Sequence, residues 1–160
     1  MPWTGLLQSL GDALRRLGIW WRGGHPGDWL GRGGGERHRS GWRAEDFAAA
    51  DLTRRGYHIL GRNVRVGPGE IDIVAEQDRR LVFVEVRSRE EGSSVRPSST
   101  LTREKRRRII RCGQAYMRGK ALEAAQVRPR YDVAEVYVDD AGRPRRCDVI
   151  AGGITDPDDE

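Results

Sequence analysis

The segment from Gly69 to Arg89 (Gly-Glu-Ile-Asp-Ile-Val-Ala-Glu-Gln-Asp-Arg-Arg-Leu-Val-Phe-Val-Glu-Val-Arg-Ser-Arg) constrains the fold more than any other. Two runs rich in Val, Ile and Phe flank the polar residues Gln77 to Arg80, the pattern of an antiparallel β-hairpin. Turning the chain at Asp78-Arg79, or over the four residues from Gln77 to Arg80, gives one register. Val74 faces Phe83, Asp72 faces Glu85 and Glu70 faces Arg87. Side chains alternate, so these six share one side of the sheet, while Ile71, Ile73, Val82, Val84 and Val86 take the other. Facing residues hold their Cβ atoms ~5 Å apart, where like charges repel. Asp72 and Glu85 therefore ask for a compensating charge. A divalent cation supplies one, since Mg²⁺ is held by one or two carboxylates plus substrate phosphate oxygens. The alternative is a solvated strand face on which Glu70 and Arg87 form a surface ion pair.

The rest of the chain divides by composition. All five tryptophans (Trp3, Trp20, Trp21, Trp29, Trp42) and eleven of the 21 glycines lie in the first 42 residues, which places a boundary near Gly41. Residues 1–40 read as an extension, 41–154 as one domain of ordinary size, and 155–160 as an acidic tail expected to be mobile. Within the extension, Leu6, Leu7, Leu10, Leu14, Leu17 and Trp21 fall at helical spacing. This amphipathic segment is too short and too interrupted for a membrane span and has no signal-peptide pattern. It reads either as a dispensable extension or as a membrane-surface or protein contact through residues 4–21. Gly23 to Gly41 reads as a glycine-rich linker, expected to be disordered.

A formal net charge of +5 and a sequence pI near 9.7 favour an anionic partner, nucleic acid or a membrane surface. Cys112 and Cys147, the only cysteines, form no zinc spacing, which points to a reducing, cytoplasmic compartment.

From Trp42 the residues Ala44, Phe47, Ala48 and Leu52 form an apolar stripe that Gly56 is placed to end. Glu45 sits at the edge of that stripe near the expected helix start, where an acid also complements the helix dipole. Tyr57 to Val66 reads as a strand, Gly67-Pro68-Gly69 as a turn, and Glu90 to Thr100 as a loop. A second helix is expected from Thr102, an N-cap candidate, to about Arg118. Lys105, Ile109, Cys112 and Tyr116 form its sheet-facing stripe, while Arg103, Arg107, Arg111, Gln114 and Arg118 form another. Eight Lys or Arg against one Glu between Leu101 and Lys120 favour phosphate contacts over a merely solvated face. Lys105, in line with Ile109, is aimed at the sheet and its carboxylates. Arg130 to Val138 and Cys147 to Ile150 read as closing strands. The order is αβββαββ, an α/β fold.

Asp72 followed by Glu85-x-Arg87 on the next strand resembles the Asp…(Glu/Asp)-x-Lys signature of restriction-endonuclease-like nucleases. More closely, residues 41–154 resemble the YraN-like family of small bacterial proteins. Six ordered blocks carry the likeness: Ala44-Glu45; Gly56-Tyr57-x-Ile59-Leu60-x-Arg62-Asn63; Gly69 to Ala75; Phe83-Val84-Glu85-Val86-Arg87-x-Arg89; Lys105 with Arg108-Ile109; and Arg130-Tyr131-Asp132-Val133.

The resemblance implies a restriction-endonuclease-like core with a mixed central sheet flanked by helices. It implies Asp72 and Glu85 as ligands of Mg²⁺ or Mn²⁺, with the Val86 carbonyl as a further donor, and Glu45 in the place of a Holliday-junction resolvase glutamate. The activity it implies is metal-dependent hydrolysis of phosphodiester bonds in DNA, branched or single-stranded, by Asp72, Glu85, Arg87, Glu45 and Lys105. Arg103, Arg107, Arg111 and Arg118 would bind the nucleic acid, and a homodimer is left open. This chain departs from the pattern at Arg87, where Lys is expected. A guanidinium stays charged and cannot act as a general base, so Lys105 is assigned part of that role. Two other readings stand beside the nuclease: a nucleic-acid-binding module impaired by Arg87, and an adaptor docking through the tryptophan-rich extension.

Overall fold

The computed structural model describes residues 36–67, 69–78, 80–94, 101–119 and 128–158, with side chains from residue 44. All belong to the unit 34–160, and residues 1–33 lie outside the description. The amphipathic segment 4–21, the tryptophan side chains and most of the glycine-rich linker therefore fall outside the described residues.

Helix α1 spans Glu36–Arg54 and begins well before Trp42, so residues 36–41, read as linker, are helical. Their Glu and Arg are good helix formers, an acid suits the first turn, and the single interior Gly41 costs only about 1 kcal/mol. An apolar stripe cannot mark that start, because residues 36–41 (Glu-Arg-His-Arg-Ser-Gly) include no large apolar residue. Glu45 consequently sits mid-helix and not in the first turn, where an acid would complement the helix dipole.

Strands β1 (His58–Val66), β2 (Gly69–Gln77) and β3 (Arg80–Glu90) follow, then helix α2 (Arg103–Gly119), β4 (Pro129–Val138) and β5 (Pro144–Ile150). The sheet order is β1-β2-β3-β4-β5. Pairing is antiparallel except between β3 and β4, which run parallel and are joined across α2, as a parallel pair requires. The expected αβββαββ order and mixed sheet are what the chain adopts. The central hairpin closes with Gln77 opposite Arg80 and Asp78 at φ 50°, a conformation Asp tolerates in two-residue turns.

Each helix covers one face. Ala44, Ala48 and Leu52 of α1 pack on Ile73, Ala75, Val82, Val84, Ala134 and Val136. On the other face Ile109 and Ile110 of α2 meet Val133 and Ile154. Phe83 there stacks on Tyr131 at 5.3 Å and meets Tyr116 edge-on at 5.6 Å. A Cβ at Gly113 would come within 2.6 Å of Tyr131 and 2.8 Å of Phe83, so this glycine lets α2 press against the aromatic pair. That close approach fixes the height of α2 over the sheet, and with it the reach of Lys105.

A buried clamp locks the far end of the sheet. The Asp132 side chain is fully buried. It accepts hydrogen bonds from Arg130 Nε (2.8 Å) and Nη2 (2.7 Å), the Tyr57 hydroxyl (3.0 Å) and the Gly152 N–H (2.8 Å). Arg130 Nη2 also donates to Gln77 Oε1 at 2.6 Å. The network ties α1's exit, β2, β4 and the turn after β5 together.

The chain's end differs from expectation. Pro157 is fully buried, Arg103 Nη2 donates to its carbonyl at 2.6 Å, and Asp158 pairs with Arg107. The described part of the acidic tail, residues 155–158, is thus seated on α2 through a buried proline and two arginines.

Candidate functional site

The site lies where two strands part. The β2–β3 ladder runs from Gln77↔Arg80 to Ile73↔Val84. Beyond it β2 stays on β1 to Val66↔Gly69, while β3 stays on β4 to Glu90↔Val138. Asp72 and Glu85 are the first residues past this fork. Asp72 Oδ2 accepts the Val86 N–H at 2.8 Å, a donor the ladder leaves over, and this bond binds its carboxylate to β3.

Glu85 is buried, and its Oε1 lies 3.0 Å from Lys105 Nζ and 3.8 Å from Arg87 Nη1. Burial, and next the charge of Glu85, push the Asp72 carboxyl up to about 7, against the opposing pull of the Val86 N–H. Glu45 raises it further, whereas Lys105 lowers it. The Glu45 carboxyl is itself raised, mainly by burial, with a hydrogen bond from Asn63 and the charge of Arg62 opposing. Asn63 holds φ 50°, a left-handed backbone that short polar side chains tolerate, close after an irregularity in the β1 ladder between Ile59 and Gly61. The bend carries the Asn63 amide to Glu45.

Asp72, Glu85, Lys105 and Arg87 are thus brought together, and Glu45 is near enough for its charge to act on Asp72. Among the described residues no group of three His, Cys, Asp or Glu converges as a metal cage. Two neighbouring carboxylates, Glu85 with Lys105 and Arg87 beside it and Asp72 raised by burial and by Glu85, match the donor set of Mg²⁺, which keeps waters and substrate oxygens in its remaining positions. Glu70 does not reproduce the expected ladder pairing with Arg87: its register partner and ion-pair partner is Arg65, at 3.3 Å.

The basic stripe is exposed as read, at Arg103, Arg107, Arg111, Gln114 and Arg118. Its members are not equivalent. Arg103 and Arg107 are engaged by Pro157 and Asp158, and Arg111 Nε donates to the Arg107 carbonyl at 3.4 Å. Thr102 caps the helix, its Oγ1 accepting the Lys105 N–H at 3.2 Å.

The site's face extends past α2 in rows the sequence did not single out. Arg87 lies beside Glu135 and Glu135 beside Asp148; Arg89 lies beside Tyr137 and Tyr137 beside Arg146. Glu135 is buried, which for a glutamate in a strand was the available signal only once its neighbours were known.

With this geometry in view, the matches to known proteins concern the same segment. Residues 44–151 match Uncharacterised protein family UPF0102. The chain belongs to this family. Relatives named UPF0102 protein include one from Syntrophotalea carbinolica, 44% identical over 58% of this chain and 73% of its own length. Others are from Moorella thermoacetica (39%; 74% of this chain, 97% of that one) and Symbiobacterium thermophilum (39%; 70% and 92%). The YraN-like resemblance is borne out by this membership. A solved structure of Pyrococcus furiosus SfsA in complex with Ca²⁺ covers 72% of this chain and 62% of its own, at 20% identity and a TM-score of 0.31, a likeness that carries no weight. No helix among the described residues of this UPF0102 member is long and apolar enough to cross a membrane.

Proposed function

We propose that this UPF0102 protein is a metal-dependent nuclease that hydrolyses phosphodiester bonds in DNA. One observation carries the reading: two carboxylates at the fork between β2 and β3, with the Asp72 carboxyl pushed up to about 7 by burial and by Glu85. A structural ion pair lowers a carboxyl's pKa; one raised by burial and by a second carboxylate is a candidate for holding a cation.

Asp72 and Glu85 would hold Mg²⁺ or Mn²⁺. When bound, the ion supplies Lewis-acid polarisation of the phosphate and a more acidic water. Lys105, 3.0 Å from Glu85, orients the attacking water and can exchange a proton with it. Arg87 neutralises charge on the phosphate. Glu45, its carboxyl pushed up mainly by burial, acts on Asp72 through its charge. Arg103, Arg107, Arg111 and Arg118 would bind the DNA backbone.

The test is incubation with supercoiled, single-stranded and four-way-junction DNA, with Mg²⁺, with Mn²⁺ and with chelator. Chelator-sensitive cleavage lost in Asp72→Asn and Glu85→Gln is the expected result, with Lys105→Ala slower by about 10²-fold. Arg87 in the lysine position favours a second reading, a binding module without cleavage. Salt-sensitive DNA binding with no cleavage under any metal would select it.

A further inference from the structure

Two residues beyond Arg87 on the same face, three strands carry a row of alternating chemistry. Arg89 of β3 is the register partner of Tyr137 of β4, which is the register partner of Arg146 of β5. Strand alternation puts Arg89 on the side of the sheet that carries Glu85, about 13 Å along β3 from it. The Arg146 guanidinium lies 4.0 Å from the Tyr137 ring centroid.

Both members of this stack are held at their polar ends. The Tyr137 hydroxyl donates to Oε2 of buried Glu135 at 3.1 Å, and Arg146 pairs with Asp148. Glu135 and Asp148 are themselves register partners. The ring and the guanidinium are therefore ordered before anything binds, so little side-chain entropy is lost when a ligand stacks on them. Arg146 keeps half its side-chain surface in solvent, and Tyr137 is half-buried, so the stack is accessible.

We propose that Arg89, Tyr137 and Arg146 form a binding site for an unpaired nucleotide of a DNA strand, its base stacked on the Tyr137–Arg146 pair and its phosphate met by Arg89. This deepens the nuclease reading, on which it rests, by naming the substrate class: DNA with unpaired bases about 15 Å from Glu85, four residues along and one to two strands across. A ring and a guanidinium plane recognise the flat face of a base, which is out of reach in a stacked duplex. Arg89 supplies the accompanying phosphate contact, as sequence-tolerant single-strand sites do.

The experiment measures binding in chelator, so that cleavage does not enter, to a single strand and to a duplex carrying the same number of phosphates. A 2-aminopurine base in the single strand reports stacking. Wild type is expected to favour the single strand and quench the probe. Tyr137→Leu should lose about tenfold in single-strand affinity and the quench, with duplex affinity and salt slope unchanged. Tyr137→Phe, which keeps the ring, should restore both. Arg146→Gln, at an exposed position, should weaken single-strand binding in the same sense without threatening the fold. Unaltered single-strand affinity and quench in Tyr137→Leu and Arg146→Gln, or an equal loss on duplex, would overturn the assignment while leaving the nuclease reading intact. A wild-type protein that binds neither DNA removes both.

Discussion

Two buried acidic centres stand at opposite ends of one sheet, and they are built on opposite principles. At Asp132 both oxygens are saturated by Arg130, Tyr57 and Gly152, and the charge is cancelled at 2.7 Å. At Asp72 the nearest charge in influence is another carboxylate, Glu85, and the residue's proton is held up to about 7. The first is a finished structural joint; the second sets two carboxylates against each other, with Lys105 and Arg87 on the Glu85 side. Burial alone therefore does not distinguish a structural acid from a functional one. At these two aspartates the difference lies in the charge set beside them, a guanidinium at Asp132 and a carboxylate at Asp72.

The sharpest way to break this contrast is to remove one charge from each centre. Asp132→Asn leaves the part-buried Arg130 without its counter-charge, and should cost about 3 kcal/mol. Asp72→Asn keeps an oxygen for the Val86 N–H but removes the repulsion with Glu85. In chelator near pH 8 it should stabilise the protein, by a few kcal/mol at most. Urea unfolding of the two variants beside wild type reads both effects. Equal destabilisation would mean that Asp72 is a structural acid like Asp132.

The next effect is a pH dependence confined to one centre. Asp72 binds its proton more tightly folded than unfolded, with about 7 against 3.8. The native state thus carries the extra proton between those values, and stability from this group falls as pH rises from about 4 to about 7, then levels. Without metal, thermal unfolding should show that decline in wild type and its loss in Asp72→Asn. Added Mg²⁺ should raise the melting temperature more near pH 8 than near pH 5, because the ion binds the deprotonated form. A Mg²⁺ shift independent of pH, or retained in Asp72→Asn, would place the ion elsewhere.

The contrast also shows what a sequence can disclose. The hairpin's alternation and the two stripes of α2 are local patterns with fixed periods, so the register through Val74 and Phe83, the Thr102 cap and the reach of Lys105 to Glu85 were legible. The fork was not. It arises because β2 follows β1 while β3 follows β4, a competition between partners that no single strand encodes. For the same reason Glu70 found Arg65. The Asp132 clamp gathers residues 57, 77, 130 and 152, too far apart in the chain for spacing to suggest it. Asn63 gave one cue, an Asn in a strand beside a glycine-bearing segment, whose meaning depended on where α1 would place Glu45. The start of α1 rested on propensity without any apolar stripe, and the seating of the tail depended on one proline meeting a surface formed from distant residues.

An acid paired in open water completes the series and carries the smallest effect. Asp158 pairs with Arg107 on the exposed side of α2, and each holds the other's charge: the Asp158 carboxyl is lowered and Arg107 raised. Solvent screening makes such a pair nearly neutral for stability, so Asp158→Asn should leave the unfolding midpoint essentially unchanged. Its consequence is for binding instead. A carboxylate on Arg107 occupies a place a phosphate would take, so releasing it should raise DNA affinity a few-fold and steepen the salt dependence by about one counterion. Arg111→Gln, on a residue the tail does not hold, should lower affinity in both backgrounds. If Asp158→Asn and Arg107→Gln both leave affinity and salt slope unchanged, the upper part of the arginine stripe is a solvated face, and any DNA path runs over Arg111 and Arg118 alone.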